Sequence, residues 1–459
     1  MSAADRYERA ARKAQATGRV PALSVALVRA DREPWIFTVG DSGNTAHPLD
    51  ADTRFRIGSV TKTFTAVLVM QARDEGLLDL DQPLSAYLDV PAHGDATIRR
   101  LLSHTSGFQR EPHGDIWDTL VSPDAQRLLA ELDRAERVLP NARRYHYSNL
   151  AFAVLGQLVA RLHGTTWERL VTDRILDALG LTATTVDAPA QAAVGYLVDE
   201  YSDAARPEPR IDAGGAAPAA QLWSTAADMA AWSAFLASPE TADPDGKVLA
   251  AATLDEMRWP HTTREEDSWL SGFGLGLMLH PQGRRVMHVG HNGAMPGFLA
   301  GAHGRRGGDD TPAGLGCAVL GSSGTADEIN DLVHELLRLA VEFDPPDIKP
   351  WTIAEPAPVE YRSALGVWWS EGAQFTFSWH DGALQARIAE APPSVFEPLP
   401  AHPSLPAQPD VLRTVSGREA GELLRLTRDD RGVVVRMHWA TYRFTRRQET
   451  FDGVPVSQG

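Results

Sequence analysis

Cysteine is nearly absent: the 459-residue chain holds one, Cys317, so an internal disulfide cannot form. It stands in the apolar strand-like run 314–320, which reads as a packing position rather than a reactive one. A stretch of about 18 uninterrupted apolar residues is also missing, which excludes a membrane span of ordinary hydropathy. Positive charge is in deficit, with 44 Lys and Arg against 60 Asp and Glu and a net charge of -16. That balance excludes a surface built for nucleic acid or an anionic membrane and favours solubility. Residues 1–30 mix charged and apolar positions as an amphipathic helix would. They lack the basic start, apolar core and small-residue cleavage site of an export signal, so the expectation is a cytoplasmic protein. Internal repeats are missing too. What remains, 43% hydrophobic residues, suits a large enzyme with one big domain plus a smaller one, or two to three modest domains.

Residues 22–28 and 35–39 read as strands, followed by a helix after Ser59 and mainly helical patterns to about residue 260. Strand-like runs return at 272–279, 285–289, 298–304 and 315–321, and 326–343 closes as an amphipathic helix. This predicts an α/β domain over 1–343, an antiparallel sheet backed by terminal helices. Residues 344–358 are too proline-dense for a helix or a central strand and read as a linker. From 359 to 459, short aromatic and β-branched runs at 364–369, 374–379, 423–427 and 433–444 predict a small all-β domain, a barrel. The Ala-rich segment 214–220 reads as a loop.

Ser59-Val60-Thr61-Lys62 leads this chemistry. An apolar helical pattern follows it (Phe64, Val67, Leu68, Val69, Met70), so Ser59 and Lys62, three apart, share one face. A lysine held neutral by desolvation can take the serine proton as the hydroxyl attacks a carbonyl. Tyr147-Ser148-Asn149 precedes a second helical run. Its phenol can shuttle a proton to a leaving group and its amide can hold a substrate amide, although Ser and Asn before a helix are also ordinary caps. The third element is His288-Val289-Gly290-His291-Asn292-Gly293-Ala294. Gly293 permits close backbone approach, and the Ala294 amide can join that of Ser59 in binding an oxyanion. His288 and His291 have no third ligand at recognisable spacing, so metal binding is set aside. Trp223, in the segment 216–229, is a pocket-wall candidate but reads more readily as core. In 433–442 the alternation puts Arg436, His438 and Tyr442 opposite Val435, Met437 and Trp439, and Arg436 is a candidate to reach over the site.

The order Ser-x-x-Lys, Tyr-x-Asn, His-x-Gly, together with Ser103-His104-Thr105-Ser106-Gly107, resembles the serine β-lactamase and penicillin-binding-protein superfamily, near the class C enzymes. The resemblance covers about residues 5–343. It implies an α/β domain beside an all-helical subdomain with the site between them. It also implies Ser59 as the acylated nucleophile, Lys62 as its base, Tyr147 as proton shuttle, and Asn149 and His291 lining the substrate channel. His291 stands where many relatives carry the lysine of Lys-Thr-Gly, a departure that fits the esterase and peptidase branches.

The added β domain is similar in architecture to the lipocalin-like domain of stand-alone penicillin-binding-protein-type thioesterases, the cyclases of nonribosomal peptide assembly. That likeness implies a peptide thioester ending in a D-residue or glycine, presented on a carrier protein and released by the peptide's own N-terminal amine. No cofactor and no metal is expected. A cytoplasmic D-aminopeptidase, amidase or esterase is the rival reading, and a penicillin-binding-like sensor without turnover is a third.

Overall fold

The computed structural model describes every residue except 142–143, 266–267, 269, 284, 309, 349, 400–409 and 457–459. The chain divides into two units, Met1–Ile348 and Lys349–Gly459. Each has its own hydrophobic core.

Helix α1, Ala3–Thr17, begins at a capping box: Ser2 Oγ accepts from the Asp5 amide, and the Asp5 carboxylate accepts from the Ser2 amide. It ends near Gly18, so the amphipathic pattern of the first thirty residues is helix only in its first half. The rest enters β1, Ala22–Arg29, which turns back into β2, Arg32–Gly40. The strands β3 (Thr262–Thr263), β4 (Gly272–Phe273), β5 (Met278–Pro281), β6 (Met287–Met295), β7 (Phe298–Arg306) and β8 (Gly316–Gly321) complete an eight-stranded antiparallel sheet. Its order is β2-β1-β8-β7-β6-β5-β4-β3.

Two departures from the sequence reading have local causes. The single strand expected over 272–279 breaks in two, because Gly276 takes a φ of +76° and a Cβ there would meet that of Ala66 at 2.3 Å. The strand expected to stop at 289 runs on to Met295 through Gly290 and Gly293. Those glycines weaken strand propensity, yet they let other backbone approach.

Helix α2, Thr61–Asp74, is buried from Thr61 to Ala72. It has no wet face, so its threonines find partners indoors. Thr63 Oγ1 donates to Val60 O and accepts from the Trp232 indole, while Thr65 Oγ1 donates to Pro218 O and accepts from the Trp167 indole. Beside it pack α3, Asn149–His163, and α4, Ala226–Ala237. Helix α5, Glu328–Phe343, covers the opposite face of the sheet together with α1. Gly301 and Gly304 of β7 mark the two sides: a Cβ on the first would meet Val333 of α5, and on the second Ser233 of α4. Cys317 lies buried in β8, where burial pushes its thiol pKa up, a packing residue.

The second unit is an eight-stranded antiparallel barrel in simple sequence order. Its strands are β9 (Gly366–Ser370), β10 (Ala373–His380), β11 (Ala383–Arg387), β12 (Ser394–Pro398), β13 (Val411–Ser416), β14 (Leu423–Arg428), β15 (Val434–Trp439) and β16 (Tyr442–Phe444). A bridge between Trp369 and Thr445 joins its two ends. Its interior is filled by side chains, among them Trp368, Phe375, Phe377, Phe396, Met437 and Trp439. The alternation expected over 433–442 is corrected here. The register slips between Thr427 and Arg428 of the partner strand, opposite Arg436 and Val434. The bulge leaves Val435 exposed and turns Val434 inward.

Candidate active site

Ser59 sits in a one-turn 3-10 segment, Gly58–Val60, that leads straight into α2. Lys62 follows one turn later with its whole side chain enclosed. Its Nζ lies 2.9 Å from Ser59 Oγ, 2.6 Å from Asn149 Oδ1 and 2.9 Å from the Ala219 carbonyl. Burial pushes the Lys62 pKa well below its usual range; nearby Glu111 opposes that shift and Arg110 adds to it.

Asn149 reaches this point because α3 starts on it. Ser148 is the N-cap: its Oγ accepts from the Ala151 amide and donates to Gln109 O. The capping reading and the chemical reading of Tyr147-Ser148-Asn149 therefore coexist on neighbouring residues. Tyr147 packs its ring 4.9 Å from Lys62 Nζ. Burial raises its phenol pKa, and a hydrogen bond with Ser59 acts against the rise. His104 stands under this ring with its Nδ1 accepting the Ser148 amide proton; burial holds its imidazole neutral. It is a structural hydrogen-bonding residue.

Strand β6 closes the other side. A Cβ on Gly293 would meet Ile57 O at 1.9 Å and Ser59 N at 3.2 Å, and one on Gly58 would meet Ala294 N at 2.7 Å. Only backbone fits between the strand and the serine turn. Gly58 itself takes a φ of +51°, a conformation that favours glycine. Ser59, Asn149 and Ala294 line a cavity of about 440 Å³, with Glu111, Glu208 and Trp117 among its other walls.

Two expected site residues do not line the cavity, and a third belongs to the second unit. His291 does not line the cavity. The strand alternation turns it fully inward, where its Nδ1–H donates to Asn292 O and its ring sits 6.1 Å from that of Tyr147. Burial and the Lys62 amine depress its pKa to about 3. Trp223 is core: it is buried on the short strand Trp223–Ser224, paired with Phe55–Arg56, its ring edge-on to Phe298. Arg436 is an exposed residue of β15 in the barrel unit.

Two contributors were missed. Glu111 accepts a hydrogen bond from Asn149 Nδ2 at 2.7 Å, and burial raises its pKa. Nothing but its place three residues beyond the Ser106-Gly107-Phe108 turn pointed to it. The segment read as a loop over 214–220 is a 3-10 turn, Gly214–Ala216, and a short helix, Ala217–Ala220. Its Pro218 and Ala219 carbonyls receive Thr65 and Lys62.

The family model described as Beta-lactamase matches residues 7–342. The chain belongs to the Beta-lactamase family. This places it among the serine β-lactamase and penicillin-binding-protein acyl-transfer hydrolases. A second model, DUF7586, a domain of unknown function, matches residues 357–446. Penicillin-binding protein 4 of Amycolatopsis lactamdurans is 32% identical over 356 residues, 72% of this chain and 87% of that protein. Beta-lactamase-like protein 2 of Dictyostelium discoideum is 29% identical, and the match spans 52% of this chain but only 46% of that longer protein. Among solved structures, SurE superposes with a TM-score of 0.62 at 22% identity, covering 97% of this chain and 99% of that one. The D-amino acid amidase of Ochrobactrum anthropi SV3 superposes at 0.58 and 24% identity over 73% of this chain and 97% of its own. These two likenesses establish a shared fold.

Proposed function

We propose that the protein takes the acyl group of a peptide ester or thioester ending in a D-residue or glycine onto Ser59 and passes it to the peptide's own N-terminal amine, closing a ring. The observation that carries the acylation half is the threefold setting of Lys62 Nζ. A neutral amine has two N–H bonds and one lone pair. The Asn149 and Ala219 oxygens take the two N–H bonds, so the lone pair faces the Ser59 hydroxyl, which donates to it.

In the first step Ser59 Oγ bonds to the substrate carbonyl carbon and its proton goes to Lys62 Nζ. Tyr147, held protonated by its raised pKa, gives its proton to the departing thiolate or alkoxide and regains one from Lys62. The Ser59 and Ala294 amides bind the oxyanion. In the second step the incoming amine attacks the ester carbonyl, loses a proton to the site, and Ser59 Oγ leaves as the hydroxyl.

The D-configured donor is supported by neighbours of the same fold, SurE solved with D-Leu and an amidase named for D-amino acids. The ring-closing acceptor rests on the likeness of the two-unit architecture to the stand-alone penicillin-binding-protein-type thioesterases. A carrier-bound thioester is the donor this reading assigns. Release to water is the second reading, favoured by the D-stereospecific amidohydrolase and amidase neighbours, whose matches cover 72% and 73% of this chain.

The test is incubation with a linear peptide carried as a thioester on a C-terminal D-residue, with products separated by mass spectrometry. Cyclic peptide is the expected product. Linear acid alone assigns the enzyme as a D-specific hydrolase, and an unlabelled Ser59 with no turnover returns it to a sensor.

A further inference from the structure

The sheet face covered by α5 gathers four histidines that acyl transfer leaves unused. His280 stands on β5, His288 on β6, His303 on β7 and His334 on α5. One ring nitrogen from each of His280, His303 and His334 lies within 4.8 Å of the other two. The ring centroids of His303 and His334 are 4.7 Å apart, and those of His280 and His334 4.8 Å.

Their hydrogen bonds leave lone pairs over. Nε2 of His303 is 2.8 Å from Asn292 Oδ1, and since that oxygen accepts, Nε2 carries the proton. Nδ1 of His303 is then a bare acceptor on a fully enclosed side chain, and it meets no partner. Nε2 of His280 meets none either. His288 Nδ1 and His334 Nδ1 lie 2.9 Å apart, each fixing the other's ring. A buried polar atom without a partner costs free energy, and His280 and His303 each carry one beside the His334 ring.

We infer that His280, His303 and His334 bind one zinc-class transition cation. Imidazole nitrogens are ligands for zinc, cobalt, nickel or copper and poor ones for magnesium or calcium. Tetrahedral bonds of about 2.0–2.1 Å set ligand nitrogens about 3.3 Å apart, which modest side-chain rotations reach from the spacing seen. Asn292 holds His303 as outer acceptors hold ligating imidazoles, and His288 does the same for His334. The cation ties α5 to β5 and β7, so its role is structural. Residue spacing offered no hint, because the ligands come from three separate elements and neither of the pair weighed there, His288 and His291, is one of them.

The test uses the full chain, stripped with a chelator and dialysed. It is titrated with Zn²⁺ by calorimetry and with Co²⁺ by visible absorption. We expect one cation per chain, the intense bands of a low-coordinate Co²⁺ site, and a higher Tm with zinc. Asn292→Leu is expected to weaken zinc binding about 10- to 100-fold. His280→Ala and His303→Ala should abolish it, with labelling of Ser59 by a fluorophosphonate confirming that each variant folds. His280→Gln replaces either variant that does not. Wild-type protein that takes up no stoichiometric cation overturns the inference, as does uptake that survives removal of both His280 and His303.

Discussion

At the scale of single residues, the proposed mechanism rests on the enclosure of Lys62 beside Ser59, and it predicts a distinct pH profile. Burial favours the neutral amine, so the base is ready at neutral pH and is lost only as acid protonates it through its depressed pKa. The Tyr147 pKa is raised, so its proton is retained on the alkaline side. The rate of Ser59 labelling by an activated D-acyl ester should therefore be flat from neutral to mildly alkaline pH and fall on the acid side alone. Asn149→Asp places a carboxylate 2.6 Å from Lys62 Nζ and stabilises the ammonium, so the acid limb should move to higher pH in stopped-flow acylation. An unmoved limb would mean that Lys62 is not the titrating base. Lys62→Ala should slow acylation about 10²- to 10⁴-fold, and Ser59→Ala should leave no adduct in intact-protein mass spectrometry.

Among the elements, the contact of β6 with the Ser59 turn sets the geometry of the cavity. Gly293→Ala drives a methyl into Ile57 O, so strand and turn must part. The expected cost is about 1–3 kcal/mol of stability, read as a lower Tm, together with slower acylation. A variant with native Tm and native labelling rate would separate the strand from the site. This contact was half legible: glycines at 290 and 293 announced close approach but not what approaches. The helix Ala217–Ala220 was not legible at all. Alanine and proline gave no periodicity over so short a span, and its value to the site lies in two carbonyls that any residue would supply. The bulge at Val435 was hidden for a similar reason, since three valines in succession fit either face until pairing selects one.

For the molecule as a whole, the cores of the two units share no residue. Residues 1–348 expressed alone should therefore unfold cooperatively and keep fluorophosphonate labelling of Ser59, checked by calorimetry and mass spectrometry. Loss of both would show that the barrel is needed for the catalytic unit to fold. Among the described residues, no helix is long and apolar enough to cross a membrane. The sequence by itself determined the fold class, the small all-β barrel domain after the proline-rich stretch, and the Ser59-Lys62 pair, because hydropathic period and a three-residue helical spacing are local properties. Only the tertiary structure decided that Asn149 and the Ala219 carbonyl complete the setting of Lys62, and that His291 and Trp223 turn away from the cavity. It alone brought His280, His303 and His334 to one point. Each of those outcomes depends on which face of an element meets a partner distant in the chain, and packing, not spacing, makes that choice.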